Sequence, residues 1–148
     1  MGRRLRLQTR ALAGVSLLVD TSVWSLALRR DRPADVPEVS RLGVAIDRAE
    51  SLLTTGLILQ ELLQGFAGAT AQQQITDRFA AFPLIVPERR DHVEAAELRN
   101  ACRRAGVQVG TIDALLAQLC LRHDLTLLTT DRDFQHIARL FPLQVWSP

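Results

Sequence analysis

The stretch that decides the fold is residues 17–24, Leu17-Leu18-Val19-Asp20-Thr21-Ser22-Val23-Trp24. The apolar run at residues 15–19 is β-branched at both ends and predicts a short buried strand. The Asp-Thr-Ser triplet that follows is typical of a helix start, so a helix over residues 23–28 is predicted next. This stretch therefore predicts a buried strand that passes directly into a helix.

The rest of the chain repeats this alternation of strands and helices. Apolar residues at helical spacing predict helices over residues 38–50, 56–66, 69–82, 89–105, 111–122 and 132–140. Short apolar runs predict strands over residues 52–54, 84–86, 125–129 and 143–146. Because no hairpin signal such as Asn-Gly appears, we expect an α/β fold with a mostly parallel sheet in a single domain.

The charge of the chain is unevenly distributed. Its 148 residues have a formal charge of +2, all 18 basic residues are arginine, and the first 15 residues carry four of them without any acid. The remaining residues therefore sum to −2. We expect residues 1–15 to be a disordered arm, with a targeting signal as the lesser alternative. The absence of lysine excludes Walker-type NTPases and Schiff-base enzymes.

Cysteine, histidine and tryptophan residues show no pattern of a site. Cys102 and Cys120 lie in no CxxC or Cys/His cluster, so we expect buried free thiols and a reducing, cytoplasmic location. No apolar run reaches 18 residues, which favours a soluble protein without a membrane segment. The three histidines stand alone and are expected at the surface or partly buried. Trp24 and Trp146 are expected in the core or in an interface.

Acidic residues are predicted to meet at one edge of the sheet, because parallel strands place their carboxyl ends together. Asp20 follows one predicted strand, and Asp131 and Asp133 follow another. Asp113 lies in the first turn of a helix, and Glu61 interrupts an apolar helix. Each has a simpler explanation, as a helix cap, a first-turn acid or a solvated side chain. Together they would repel one another, and a divalent cation resolves that conflict. Ligands that are all oxygen favour Mg²⁺ or Mn²⁺.

Four motifs together resemble those of PIN domains, and specifically the VapC toxins of bacterial toxin–antitoxin pairs. They lie at residues 17–24, 60–65, 110–117 and 127–134, and their acids are 41, 52 and 18 positions apart. The resemblance extends from residue 17 to about residue 146 and implies a PIN-like three-layer α/β/α domain over residues 16–148. It also implies a metal-dependent endoribonuclease that acts on single strands, with a VapB-type antitoxin and a homodimer as expected assemblies.

The resemblance assigns roles to individual residues of this chain. It makes Asp20, Glu61, Asp113 and Asp131 catalytic metal ligands for Mg²⁺ or Mn²⁺, with Asp133 as a further ligand, directly or through water. Ser22 and Thr129 match hydroxyls near the water shell of the metal. Arg132 and the loop arginines Arg29, Arg30 and Arg32 are candidates to hold substrate, although solvated surface arginine is the simpler interpretation. Either Asp113 or Asp131 is a candidate to accept a proton from the attacking water.

Two other functions remain open at this point. One is a catalytically weak PIN-like protein that acts through its interactions, with apolar surfaces expected around residues 24–28 and 38–63. Loss of one of the four acids would favour it, and all four are present. The other is a metal-dependent DNA nuclease, which would use the same site.

Overall fold

The structure is a computed structural model that describes residues 14–29 and 35–148. Nearly all of the predicted arm lies outside these residues, so its disorder stays a prediction. Arg30 and Arg32, two of the arginines proposed to contact substrate, also lie outside them.

Five strands form one parallel sheet at the centre of the molecule. They are β1 (Leu17–Val19), β2 (Leu52–Thr55), β3 (Leu84–Ile85), β4 (Thr126–Leu128) and β5 (Gln144–Val145), in the order β3-β2-β1-β4-β5. The three residues of the central strand β1 are fully buried, which explains its uninterrupted apolar sequence. The prediction of a mostly parallel sheet is confirmed.

Seven helices connect these strands in the described part of the chain. They are α1 (Thr21–Ala27), α2 (Pro37–Asp47), α3 (Gly56–Gly65), α4 (Ala69–Phe79), α5 (Arg89–Arg104), α6 (Thr111–His123) and α7 (Asp133–Ala138). The chain moves outward from β1 to β3 and then crosses to β4 on the other side of β1. With right-handed crossovers this reversal places α1–α4 on one face and α5–α7 on the other, which gives the expected α/β/α layers. Over residues 14–29 and 35–148, no helix combines the length and the apolar character needed to span a bilayer.

Every predicted element is present, and only the ends of the elements differ. The first strand begins at Leu17 rather than at residue 15, because Val15 is exposed and outside the sheet. The second helix ends at Asp47, since Ala49 takes a left-handed conformation with φ of 50°. Gly106 ends α5 as predicted, with φ of 81°. These ends depend on one or two residues whose backbone leaves the regular geometry, so periodicity alone does not locate them.

The core contains Trp24 and both cysteines, as the sequence predicts. Trp24 is 1% exposed, and its ring centroid lies 4.8 Å from that of Phe79 and 5.6 Å from that of Phe82. Trp24 therefore lies in the core, one of the two locations expected for it. Cys102 and Cys120 are buried and unpaired, and their burial raises the pKa of each thiol.

A buried ion pair joins the start of α5 to the end of α6. The Asp91 side chain is fully buried, and the Arg122 Nη2 donates to its Oδ2 at 2.8 Å, while the Arg122 Nε lies 2.7 Å from its Oδ1. The Glu88 backbone N–H also donates to Oδ2 at 2.8 Å. Burial acts to raise the pKa of Asp91, but these donors and the Arg122 charge hold it below its usual value. The pair fixes α6, the helix that carries Asp113 in its first turn.

Replacing Arg122 by Met would leave the Asp91 carboxylate buried without its cation. We expect Arg122→Met to lower the free energy of unfolding by about 3–5 kcal/mol at pH 7, measured by urea denaturation. Arg90→Met is the matched control, because the exposed Arg90 lies 3.5 Å from the exposed Glu88 and should cost less than about 1 kcal/mol. Equal losses in the two variants would contradict this role of the pair.

Candidate active site

The Asp20 carboxylate is the most extensively hydrogen-bonded of the predicted site acids. Asp20 follows β1 directly, caps α1, and is 8% exposed. Its Oδ1 accepts the Thr21 backbone N–H at 2.8 Å. Its Oδ2 accepts the Ser22 hydroxyl at 2.9 Å and the Thr129 hydroxyl at 2.8 Å. Ser22 and Thr129, predicted near the metal's water shell, therefore orient the first predicted metal ligand.

The same two hydroxyls hold the loop that follows β4. The Thr130 N–H donates to the Ser22 Oγ at 3.1 Å, and the Asp131 N–H donates to the Thr129 Oγ1 at 3.0 Å. Asp20 and Ser22 come from the end of β1, and the other residues come from the end of β4. These neighbouring strands flank the point where the strand order reverses, which is where open parallel sheets bind ligands.

Asp131 and Asp133 are joined within this loop. The Asp131 Oδ1 accepts the Asp133 N–H at 2.9 Å, just where α7 begins. The N-cap residue of α7 is Arg132, so Asp131 lies one residue before the cap position that its simpler explanation proposed for it. Asp20, in contrast, does cap α1. Because each carboxylate has a second oxygen and further lone pairs, these hydrogen bonds leave room for a ligand-binding role.

Asp113 connects the other acids electrostatically. It is half-buried in the first turn of α6, where the helix dipole by itself would favour the charged form. Burial, followed by the negative charges of Asp131, Asp20, Asp133 and Glu61, nevertheless raises the pKa of Asp113 from 3.8 to about 6. The four other predicted acids, which come from α3 and from the ends of β1 and β4, are thus close enough to Asp113 to interact with its charge.

The acids share this site without forming a ligand shell. Among the described residues, no three Asp, Glu, His or Cys side chains stand close enough together to hold a metal ion. Glu61 is the most weakly coupled of the four neighbours of Asp113, on a helix that buries Ile58 and Leu62 and leaves Glu61 partly exposed. The donor set fits a hard divalent cation in charge and in atom type, and side-chain rotations are needed to assemble it.

A pair of arginines beside this site was missed by the sequence analysis. A cavity of about 540 Å³ is lined by Arg99, Arg103, residues 107–110 and Asp133. The Arg99 Nε donates to the Val109 carbonyl at 2.8 Å, which orients the guanidinium and leaves its terminal nitrogens available. Arg99 and Arg103 are four residues apart, so the sequence places them on one face of their helix. No local sequence pattern indicates that this face of α5 lies next to the loop before α6.

Of the arginines proposed from sequence, two are described. Arg132 is exposed and lines a different cavity, next to Asp131. Arg29 is exposed near the end of α1. The isolated histidines His92, His123 and His136 are exposed, as predicted.

The fold and the acidic site together define a class of protein with known members. Residues 17–140 match the family model of the PIN domain. Ribonuclease VapC11 of Mycobacterium tuberculosis is 32% identical over 133 residues, which cover 88% of this chain and 98% of that protein. The chain therefore belongs to the PIN-domain family, and within it to the VapC group, as the four motifs indicated.

Solved structures agree on the fold at lower sequence identity. VapBC2 of Rickettsia felis, bound to a DNA fragment from its promoter, contains a chain with a TM-score of 0.68 and 18% identity, over 90% of this chain and all of that one. VapC20 of Mycobacterium tuberculosis, a toxin that cleaves the sarcin–ricin loop, has a TM-score of 0.60 and 16% identity, over 81% of this chain and 93% of that one.

The Thr129 hydroxyl is expected to be necessary for the order of the site. Thr129→Val removes a donor to the Asp20 carboxylate and the acceptor of the Asp131 N–H, so we expect a loss of about 1.5–3 kcal/mol in the free energy of unfolding. Thr126→Val, which removes a 3.4 Å contact with Gln144 at the surface, should cost less than about 0.5 kcal/mol. Indistinguishable urea midpoints for the two variants would show that the Asp20 cluster contributes no stability.

The raised pKa of Asp113 predicts a dependence of stability on pH. The folded protein binds the Asp113 proton more tightly than the unfolded chain does, so this contribution is present at low pH and is lost as pH rises from about 4 through about 6. With EDTA present, Tm should fall less over this range for Asp113→Asn than for the parent. Asp77→Asn, at an exposed acid, should follow the parent; identical slopes for all three proteins would refute the shift.

Proposed function

We propose that the chain is the endoribonuclease toxin of a VapBC-type toxin–antitoxin pair. The observation that carries the proposal is that Asp113 lies half-buried within the electrostatic range of four other acids, and that burial together with their charges raises its pKa to about 6. Perturbed carboxylates at a topological switch point are typical of functional sites. Membership of the VapC group and the name of the 32%-identical relative, a ribonuclease, support RNA as the substrate.

Mg²⁺ is the cofactor that we propose, with Mn²⁺ as the alternative. Asp20, Asp113 and Asp131 would hold it, and Glu61 and Asp133 would contribute directly or through water. The bound cation would lower the pKa of a water and stabilise the charge that develops on the phosphodiester. Asp20 is the best ordered of these ligands, because three hydrogen bonds fix its carboxylate.

The other groups of the site would orient substrate and move the proton. Asp113, half-buried in the first turn of α6, is one candidate to accept a proton from the attacking water. Asp131 remains the alternative. Arg99, whose terminal nitrogens are available next to Asp133, would bind a flanking phosphate. This cation offsets the repulsion between an acidic site and the RNA backbone.

We also propose a VapB-type antitoxin as a partner and a homodimer as the assembly. The support for the antitoxin is the likeness to a chain of a VapBC complex. With Trp24 buried, the apolar groove between α3 and α4, lined by Leu59, Leu63 and Ala67, is a surface available to such a partner. Val44 and Ile46 on α2 are also exposed and are available for contacts between two copies.

Cleavage assays test the proposed activity directly. Asp20→Asn and Asp113→Asn should each reduce Mg²⁺-dependent cleavage of single-stranded RNA by about 100-fold or more, since charge stabilisation by a bound metal is worth several kcal/mol. Circular dichroism should show an intact fold in both variants. Asp47→Asn, at an exposed acid on the end of α2, is the matched control and should cleave like the parent.

The same assay separates the alternative functions. Full activity in either purified site variant would overturn the site assignment. A parent protein that cleaves single-stranded DNA and leaves RNA of the same sequence intact would favour the DNA nuclease. A parent protein that cleaves neither, with bound Mg²⁺ verified by calorimetry, would favour the catalytically weak interaction protein.

A further inference from the structure

A second cavity borders the acidic site and is not used by the function proposed above. It measures about 560 Å³ and shares Thr129, Thr130 and Asp131 with the site. The lining continues along α7 to Arg139 and reaches Trp146. Its volume lies within the range of roughly 300–1,000 Å³ that is typical of small-ligand sites. The cavity therefore suits one nucleotide rather than a folded partner.

Trp146 supplies the cavity with an aromatic surface. It follows β5 directly, and its backbone N–H donates to the Leu127 carbonyl at 2.9 Å, which extends the pairing of β5 with β4. Trp146 is partly buried, packs against the core, and also lines the cavity. Its position is thus fixed by the sheet while part of the residue faces open space. A fixed tryptophan beside an open cavity is a suitable platform for stacking a base.

One face of α7 brings two arginines to the cavity. Arg132 and Arg139 cap the two ends of this helix, and His136 lies between them at helical spacing, while Phe134 and Ile137 face the core on the other side. Neither arginine forms an ion pair within residues 14–29 and 35–148. Both guanidinium groups can therefore contact a phosphate, in a cavity whose lining also carries the carboxylates of Glu38 and Asp131.

We propose that this cavity binds one unpaired nucleotide of the RNA, adjacent to the phosphodiester held at the acidic site. The base stacks on Trp146, and Arg139, together with Arg132, binds the phosphate. The proposal rests on the proposed ribonuclease function and adds a specificity element to it. A base inside a duplex is covered by its neighbours, so the site would select single-stranded segments.

Binding measurements on the full chain test the nucleotide site. In an Asp113→Asn background, which prevents cleavage, we would titrate a fluorescently labelled single-stranded RNA oligonucleotide in Mg²⁺ buffer. Trp146→Leu should weaken binding about 5- to 150-fold, the range that loss of one stacked base produces. Trp146→Phe keeps an aromatic ring and should restore most of the affinity. A Tm close to that of the parent would show that each variant is folded. If Trp146→Leu does not fold, Trp146→Phe still tests whether an aromatic ring at this position maintains RNA binding.

The phosphate contact has its own measurement. Arg139→Gln should reduce the slope of log affinity against log salt concentration by about 0.7, as expected when one single-strand phosphate contact is lost. Arg104→Gln, at an exposed arginine on α5 that lines neither cavity beside the acidic site, should leave the slope unchanged.

The outcomes distinguish this proposal from the proposed function. If the parent cleaves RNA but Trp146→Leu and Arg139→Gln bind as tightly as the background variant, the nucleotide site is wrong and the ribonuclease assignment stands. If the parent cleaves no RNA but both substitutions weaken single-strand binding, the nucleotide site is supported and the assignment fails. If Trp146→Leu lowers the affinity for single-stranded RNA and for fully paired RNA equally, the stacking proposal is also wrong.

Discussion

The Asp20 carboxylate connects the two strand ends on which the site depends. β1 and β4 are neighbours in the sheet, but backbone pairing alone leaves the loops beyond them free to separate. The hydroxyls of Ser22 and Thr129 both donate to one oxygen of Asp20, and each accepts a backbone N–H from the loop after β4. In this arrangement both hydroxyl protons go to the carboxylate, and each hydroxyl oxygen accepts one N–H from the loop, so every member of the cluster has a partner.

The cost of this arrangement is electrostatic. Burial, and after it the field of the acids at the two strand ends, raises the pKa of Asp113 in the position to which α6 brings it. The buried pair of Asp91 with Arg122 holds α6 against α5 and so maintains Asp113 in this position. A cation with oxygen ligands would turn the repulsion into attraction, which is the physical reason for proposing Mg²⁺ here.

Local sequence signals were sufficient to predict most of the secondary structure and to identify the acidic residues of the site. The apolar run before Asp20, the Thr-Ser start of α1 and Gly106 after α5 each act within a few residues, so the sequence predicted the elements that they bound. Asp20, Asp113 and Asp131 were found because strand ends and helix starts can be located from periodicity, and parallel strands bring these ends to one edge. Strand β3 was predicted from the short apolar run at residues 84–86, although only one of its two residues is buried.

Contacts between distant elements were beyond the reach of these local signals. Arg99 lies beside the acids only because α5 packs on α6, and Trp146 borders a cavity only because β5 pairs with β4. The sequence by itself determined the parallel α/β architecture and the identity of the acidic residues, since periodicity and strand-end chemistry are local properties. Only the tertiary structure decided that Thr129 joins Ser22 in orienting Asp20, how strongly the acids are coupled, and which arginines and tryptophan lie next to them. Ser22 is a local neighbour of Asp20, but Thr129 is 109 residues away from it, and the acids around Asp113 come from separate elements of the chain, so only folding brings these side chains together.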